Sequence, residues 1–448
     1  MASRRQLDEN FQLITRRIPE ENIHGADIIH TALAREGKKP VGLWGEYLDP
    51  ACRWKDSDQL GEQSPRLQGS KPSLAHIGYL IPLLKFADFL RAGVEIIVVL
   101  LDVYSFLDNV KYPMEQVVQR MHYYRFTVEA ALETLGIPSK NIKFIAESSY
   151  QINPRFFFDQ CRLCTLVPQQ AVRDAWDRSY NPDMLAPMLC PGLQTLAEEH
   201  LDIDFQFGGT DQRGIFEFAE RFLPQLGYRN RAHLMNPMLP NLYGDKMSSS
   251  HPPHTKIMFL DDEATVEEKV RAGYLSSDEV SRNGVLATLR DVLIPLSQLQ
   301  MERWVEGTAS VVRAGDTPTH DTPLSSLPTT TTTTTASNDD ADHGLVQPTL
   351  SLSYPFWTPS SPAGTVFTFP PAPKPDRESD GDSDGRDHRH YATFEQIMHD
   401  LTTQTLRADD IVAAVAAALN QILAPVRAAY RGSRAWRAAD RLGYPEES

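Results

Sequence analysis

The feature that most constrains the fold is a continuous apolar run, EIIVVLLD, at positions 95–102. A strand that is apolar at every position is buried on both faces, as in parallel sheets that helices cover on both sides. Within residues 1–230, further apolar runs of this kind alternate with helical patterns. We therefore predict an α/β chain with a Rossmann-type parallel sheet, followed by a mostly helical part.

The other elements of this fold are predicted from apolar periodicity and from the glycines that end helices. The helices that begin near residues 77 and 115 should stop at Gly93 and Gly136, because glycine readily adopts the conformation that ends a helix. We expect further strands at 40–45, 142–146 and 204–209, and helices at 77–92, 115–135, 263–274, 279–293 and 410–424.

Two segments lack apolar periodicity and are predicted to be disordered. Residues 315–350 include seven consecutive threonines, and residues 371–390 are rich in Pro, Asp, Ser and Arg. Between them, residues 354–369 contain the alternating run TVFTF, which favours a hairpin.

Composition gives a broad frame for the function. The chain has 448 residues and a net charge of −15, which argues against a uniformly basic nucleic-acid face but leaves local patches open. No apolar run approaches the length of a membrane span, and residues 1–17 lack the apolar centre of a signal peptide, so we expect a cytoplasmic protein without a membrane partner. The four cysteines fit a reducing compartment, and no metal site is predicted; Cys161 and Cys164 are expected to be small buried residues on a helix.

Three motifs indicate chemistry on ATP: His76-Ile77-Gly78-Tyr79, Gly208-Gly209-Thr210-Asp211-Gln212-Arg213 and Lys246-Met247-Ser248-Ser249-Ser250. A histidine at the start of a helix can donate to phosphate oxygens, and the helix N-terminus adds positive potential. Gly78 leaves room for an adenine ring, and Lys246 is a cation suited to the β- and γ-phosphates. Taken singly, the first and third motifs are better explained by a capping histidine and a solvated loop lysine, and it is the presence of all three motifs that favours nucleotide chemistry.

Together with longer segments, these motifs resemble the tyrosyl-tRNA synthetase family of class I, in its eukaryotic cytosolic and archaeal form. The resemblance covers about residues 10–300 and 392–445. The segments that carry it are FQLITRRI, HIGYLIPLLKFADFLRAGVEI, LLDVYSFLDNVKYP, PGLQTLAEEHLDIDFQFGGTDQRGIFEFAERFLPQLGY, HLMNPMLPNLYGDKMSSS and ALNQILAPVR.

The resemblance implies a tyrosine–tRNA ligase that uses ATP with Mg²⁺, binds tRNA and forms a homodimer. It implies a catalytic domain at 1–255, with a dimer-forming insertion at about 110–200, and a helical anticodon-binding domain at 256–314 and 392–448. The insertion 315–391 lies between the two helical parts.

The resemblance also assigns roles to individual residues. His76 and Lys246 would be catalytic, Asp211 would contact the ribose, and Trp357 and Asp410 would read the anticodon of tRNA. The full ATP-binding set is His76, Gly78, Gly208, Gly209, Asp211, Lys246, Met247, Ser248 and Ser249, and the amino-acid-binding set is Leu43, Tyr104, Cys190, Gln194, Ala197 and Gln212.

The amino-acid pocket departs from the family pattern. Leu43 and Ala197 stand where the family has the tyrosine and the aspartate that hold the substrate phenol, Cys190 replaces another tyrosine, and Tyr104 replaces a histidine. Removal of both phenol partners changes selection against phenylalanine, because a site built to bind a hydroxyl rejects the analogue without it. Two alternatives therefore stand beside the ligase: a paralogue that adenylates another aromatic amino acid, and a non-catalytic RNA-binding relative.

Two further segments have two interpretations each. The insertion at 46–70 is either a lid beside the ATP site or retained intron sequence. The arginines at 427, 431, 434, 437 and 441 form either a solvated helix face or a contact with the tRNA backbone.

Overall fold

The computed structural model describes residues 3–46, 75–109, 112–175, 184–245, 247, 252–275, 282–314, 352–353, 355–369 and 388–445. Several predictions fall outside these residues. They concern Cys52, Lys246, Ser248, Ser249, the insertion at 47–70, the threonine-rich stretch at 315–350 and residues 371–387.

The centre of the fold is a six-stranded sheet in the order β1-β6-β5-β2-β3-β4. Strand β1 runs antiparallel to β6, and all the other pairings are parallel. This arrangement confirms the predicted Rossmann-type sheet and its four predicted strands. The strands are β1 (Ile23–His24), β2 (Val41–Glu46), β3 (Glu95–Leu100), β4 (Ile142–Ala146), β5 (Phe205–Gly209) and β6 (Ala232–Asn236).

Burial on both faces explains the unbroken apolar run in β3. Val98 belongs to the large core on one face of the sheet, whereas Ile97 and Val99 belong to a smaller cluster on the other face. Successive side chains of a strand point to opposite faces, so a sheet covered on both sides needs an apolar residue at every position.

Helices cover the two faces of this sheet. The predicted helix at 77–92 consists of a 3₁₀ turn, Ile77–Tyr79, followed by α3, and the backbone turns at Gly93 with φ +80°. The helices are α1 (Arg4–Thr15), α2 (Ala26–Ala34), α3 (Leu80–Arg91), α4 (Asp102–Asn109), α5 (Met114–Thr134), α6 (Ser148–Gln151), α7 (Pro154–Leu166), α8 (Gln169–Ala175), α9 (Cys190–His200) and α10 (Arg213–Phe222).

The C-terminal part is mostly helical, as predicted. A π-helical turn at Leu289–Leu293 joins two helices into one continuous element. The helices are α11 (Glu263–Leu275), α12 (Gly284–Thr288), α13 (Ile294–Ala314), α14 (Phe394–Thr402), α15 (Ala408–Gly432) and α16 (Arg434–Gly443).

The C-terminal helices pack directly on the sheet-containing part. The buried guanidinium of Arg120 on α5 donates to the carbonyl of Gly443 at 2.9 Å and stacks on the rings of Tyr112 and Tyr444. The packing of α16 on α5 therefore joins the C-terminal helices to the part of the protein that contains the sheet.

The hairpin predicted at 354–369 is wrong. The segment forms one strand, β7 (Phe367–Phe369), which pairs with β8 (Arg389–Tyr391), and only a single bridge links Phe356 to Phe367. Proline has no N–H to donate to a strand ladder, and three prolines between 355 and 362 interrupt the first half of the expected hairpin. The disorder predicted for 371–390 is also wrong at residues 389 and 390, which belong to β8.

Within the described residues, one helix is long and apolar enough to cross a membrane, contrary to the sequence-based expectation. This helix is α15, in which a window of mean hydropathy 1.6 is 61% buried inside the protein. The core helix of a soluble protein passes the same test of length and composition, so the finding is weak evidence for a span.

Candidate functional site

The first and third motifs lie against each other, although about 170 residues separate them along the chain. A β-carbon added to Gly78 would lie 2.8 Å from the ring of His76 and 3.5 Å from Sδ of Met247. His76 forms a bridge with Met258, and the N–H of Ile77 donates to the carbonyl of Ile257 at 3.0 Å. The fold thereby brings the start of α3 and the segment around Met247 into one site.

The hydrogen bond of His76 determines which ring nitrogen faces a ligand. The N–H of Gly78 donates to Nδ1 of His76 at 3.1 Å, so Nδ1 acts as an acceptor. In a neutral imidazole the other nitrogen then carries the proton. Nε2 of His76 is therefore the group that can donate to a phosphate oxygen.

The second motif lies at the carboxyl end of β5. A β-carbon at Gly209 would lie 2.3 Å from Sδ of Met238 and 2.5 Å from Oδ1 of Asp211, so a larger residue does not fit without a shift. Asp211 follows in a 3₁₀ turn and is exposed. Strand β5 neighbours β2, and the strand order reverses between them, where ligands of open parallel sheets bind.

Three of the predicted amino-acid-binding residues share one buried apolar cluster, which we call the pocket cluster. Leu43, Tyr104 and Cys190 belong to it together with Val41, Ile97, Val99, Leu101 and Ile203. Sγ of Cys190 lies 3.9 Å from the backbone oxygen of Tyr104. The structure therefore brings together side chains from β2, α4 and α9 that are far apart in the sequence.

The other three predicted residues lie on α9 and beside β5. Gln194 donates from Nε2 to Oε1 of Gln212 at 3.1 Å, and Ala197 is buried with 3% of its surface exposed. The two glutamines thus form a polar pair, whereas Ala197 offers no hydrogen-bonding group.

Glu147, which the sequence did not single out, is buried completely beside this pocket. Burial, together with the charge of Asp102, raises the pKa of Glu147 to about 8, although hydrogen bonds from Tyr104 and Gln151 act to lower it. One carboxylate oxygen accepts the N–H of Tyr104 at 2.7 Å, and the other accepts Nε2 of Gln151 at 3.0 Å. No motif marks this residue, so only its burial in the fold reveals it.

The raised pKa of Glu147 predicts a pH dependence of stability. Its pKa is 4.5 when exposed and about 8 in the folded chain, so its contribution is fully present below pH 4.5 and is lost as the pH rises through 8. We expect the Glu147→Gln variant to lose less stability than the parent from pH 5 to 8, by about 1 kcal/mol for each pH unit. Urea unfolding at several pH values measures this difference, and parallel pH profiles would contradict it.

The two predicted anticodon-reading residues are both buried. Trp357 is 8% exposed, and its ring centre lies 6.4 Å from that of Trp304. Its backbone N–H donates to Oγ of Ser297 at 2.7 Å. Asp410 is 5% exposed and, at the start of α15, accepts hydrogen bonds from the backbone N–H of Arg407 at 3.3 Å and from its guanidinium at 2.7 Å. These contacts give both residues structural roles, and their contact with tRNA stays a prediction.

Two sequence-based expectations change in the described structure. Cys161 and Cys164 lie on α7 as expected, but in the described structure both are exposed rather than buried. Arg427 does not belong to the predicted basic patch, because it is buried and donates to the carbonyl of Asp261 at 2.7 Å. The exposed arginines that remain are 431, 434 and 441.

The fold and the site define a Rossmann-type α/β protein with a candidate nucleotide site at the point where the strand order reverses. The family model for class I tRNA synthetases (W and Y) matches residues 67–309, more than half of the chain. The chain therefore belongs to this family.

Relatives and solved structures agree with this assignment. The chain is 41% identical over 303 residues to the cytoplasmic tyrosine–tRNA ligase of Gallus gallus, which covers 66% of this chain and 52% of that protein. It is 43% identical over 230 residues to the Saccharomyces cerevisiae enzyme of that name, which covers 50% of this chain and 58% of the relative. The chain thus spans about half the length of these curated relatives.

The fold is similar to that of an archaeal enzyme. The tyrosyl-tRNA synthetase of Pyrococcus horikoshii, solved with L-tyrosine, has a TM-score of 0.67 at 15% identity and covers 97% of this chain and 99% of its own. At this identity the similarity supports the fold alone.

Proposed function

We propose that this chain is a tyrosine–tRNA ligase that activates tyrosine with ATP and transfers it to tRNA. The observation that carries the proposal is the meeting of His76, Gly78 and Met247, in a fold whose second motif lies at the carboxyl end of β5, where the strand order reverses. The relatives that bear the tyrosine name supply the identity of the amino acid. Those names do not favour a paralogue for another aromatic acid or a non-catalytic relative.

In the first step, a carboxylate oxygen of tyrosine attacks the α-phosphorus of ATP, and the bond from that phosphorus to the bridging oxygen of pyrophosphate breaks. Negative charge grows on the phosphate oxygens, and donors aimed at them lower the barrier. Nε2 of His76 and the ammonium of Lys246 would supply that stabilisation, and Ser248 and Ser249 would hold the phosphates. Mg²⁺ would arrive with ATP and neutralise the leaving pyrophosphate.

The remaining contacts orient the two substrates. Gly208 and Gly209 would let the nucleotide approach the backbone, and Asp211 would bind the ribose. Gln194 and Gln212, which already pair with each other, would contact the ammonium or carboxylate of tyrosine.

The second step requires tRNA. We propose that residues 1–255 form the catalytic domain and that residues 256–314 and 392–448 bind the anticodon, with Trp357 and Asp410 near it. Because the relatives are named cytoplasmic, we also propose a cytoplasmic location.

Dimer formation is proposed from an exposed apolar surface. Of the ten large hydrophobic side chains that are exposed in the described residues, six lie between 152 and 185: Ile152, Phe157, Phe158, Leu166, Met184 and Leu185. Two of them, Met184 and Leu185, line a groove of about 390 Å³ between α7, α8 and α9. A surface of this kind marks a contact with another molecule, and a second copy of the chain is the partner that we propose. Strand β4, although it lies within the insertion expected at about 110–200, belongs to the central sheet. We therefore propose that the dimer contact is made by the helices that follow β4.

We predict that replacing Phe157 and Phe158 with glutamate produces a monomer. The two side chains are 69% and 65% exposed in the single chain, so charges there do not disturb its core but oppose burial in a dimer. Analytical ultracentrifugation measures the change. Leu442→Glu, at a residue that is 60% exposed on α16, is the matched control and should leave the dimer intact. A double variant that sediments as the parent does would remove this surface from the proposal.

The activity is tested by ATP–pyrophosphate exchange with tyrosine, phenylalanine, tryptophan and O-methyltyrosine, each assayed with the full chain. Exchange selective for tyrosine, followed by tRNA-dependent formation of tyrosyl-tRNA, supports the ligase. Exchange without any transfer to tRNA, or no exchange at all, would overturn it.

A further inference from the structure

Two buried polar atoms beside the pocket cluster have no hydrogen-bond partner. Tyr150, on α6 just after β4, packs its ring on the pocket cluster and against Phe156 at 5.9 Å. Its hydroxyl oxygen is buried and forms no hydrogen bond with any described residue. The next residue, Gln151, likewise has a buried Oε1 without a partner.

Hydrogen bonds hold the side chain of Gln151 and the backbone of Tyr150 in place. Nε2 of Gln151 donates to Glu147 at 3.0 Å, so the orientation of the amide is set by that bond and Oε1 is left unused. The N–H of Tyr150 donates to the carbonyl of Glu147 at 3.1 Å, and Asn153 donates to the carbonyl of Tyr150. The amide of Gln151 lies close enough to lower the pKa of Tyr150, but it completes no hydrogen bond to the hydroxyl.

A buried polar atom without a partner costs free energy, and a bound molecule that pairs with it removes this cost. Nine such atoms occur in the described residues, and those of Tyr150 and Gln151 are the two in adjacent residues, one of which packs on the pocket cluster. Leu43 and Ala197, 2% and 3% exposed, have no side-chain polar atom that could bind a hydroxyl.

We propose that Tyr150 and Gln151 bind the phenolic hydroxyl of the substrate tyrosine, an inference that rests on the proposed function. The substrate O–H donates to Oε1 of Gln151, and the hydroxyl of Tyr150 donates to the phenolic oxygen. One donor and one acceptor satisfy the phenol, whose hydroxyl offers one hydrogen and accepts in return. Two residues after β4 thereby take over the selection that Leu43 and Ala197 cannot provide.

The test is the binding of tyrosine and of phenylalanine, measured by isothermal titration calorimetry, to the parent chain and to Tyr150→Phe and Gln151→Met. We expect each variant to bind tyrosine about ten-fold more weakly and phenylalanine as tightly as the parent does, since one hydrogen bond to the substrate is lost. Tyr228→Phe is the matched control. Its hydroxyl donates to Asp159 at 2.6 Å, away from the pocket cluster, so the ratio of the two affinities should not change.

If either Tyr150→Phe or Gln151→Met does not fold, the other variant still tests the inference. An unchanged ratio of affinities in a folded variant would overturn the inference, and so would a parent chain that binds no tyrosine. Pyrophosphate exchange on the same samples separates the two proposals. Tyrosine binding that depends on Tyr150 without any exchange would overturn the ligase alone, whereas tyrosine-selective exchange unaffected by both substitutions would overturn the role of Tyr150 and Gln151 alone.

Discussion

His76→Ala is expected to slow tyrosine-dependent pyrophosphate exchange by about 10²–10³-fold while tyrosine binding stays unchanged. A single preorganised donor aimed at the charge that grows in a transition state contributes about this much. The hydrogen bond from the N–H of Gly78 to Nδ1 places Nε2 as that donor. Steady-state exchange and tyrosine titration together measure the two quantities.

His76→Asn and His399→Ala serve as comparisons for this prediction. Asparagine keeps a side-chain donor and should recover part of the lost rate, whereas His399 is exposed on α14 and its loss should change nothing. If His76→Ala weakened tyrosine binding as much as it slowed exchange, the histidine would support the fold rather than the phosphate chemistry.

Gly209→Ala is expected to raise the KM for ATP by about ten-fold or more. The backbone at Gly209 has φ −82°, which any residue adopts, so the effect comes from space alone. The added β-carbon would lie 2.5 Å from Oδ1 of Asp211 and 2.3 Å from Sδ of Met238, so both side chains must move. Both atoms lie toward the ends of flexible side chains, so the fold adjusts at little cost, but Asp211 is displaced from the position of the proposed ribose contact.

Gly432→Ala is the matched control, because no atom lies within 4 Å of the added β-carbon there. It should leave the KM for ATP and for tyrosine as in the parent chain. The KM for tyrosine should also stay constant in Gly209→Ala, because the pocket cluster does not include Gly209. An unaltered KM for ATP in Gly209→Ala would remove the second motif from the nucleotide site.

The strands and the ATP motifs could be predicted because their signals are local or chemically specific. An apolar residue at every position of β3 reflects burial on two faces, and Gly93 and Gly136 have the positive φ at which helices end. The order of the three motifs indicated one nucleotide site before any contact was known.

Other features depend on contacts between distant residues. The partner of β7 lies 20 or more residues away, so no local alternation could reveal the pairing of Phe369 with Arg389. Trp357 and Asp410 resemble anticodon-reading residues by position, yet Ser297 and Arg407 hold them as buried structural groups. The exposure of Cys161 depends on how α7 lies against the other helices, which helical periodicity alone does not show.

The sequence by itself determined the α/β class, the approximate positions of four of the six strands of the central sheet and the three motifs, because apolar periodicity and phosphate-binding chemistry depend on neighbouring residues. Only the tertiary structure decided that Glu147, Tyr150 and Gln151 lie beside the pocket cluster, which side chains of β2, α4 and α9 form. Both carboxylate oxygens of Glu147 accept hydrogen bonds there, whereas Tyr150 and Gln151 each have a buried atom without a partner. Burial removes water from these groups, so an unpaired polar atom can regain a hydrogen bond only from a bound molecule, and this makes Tyr150 and Gln151 candidates for selecting tyrosine over phenylalanine.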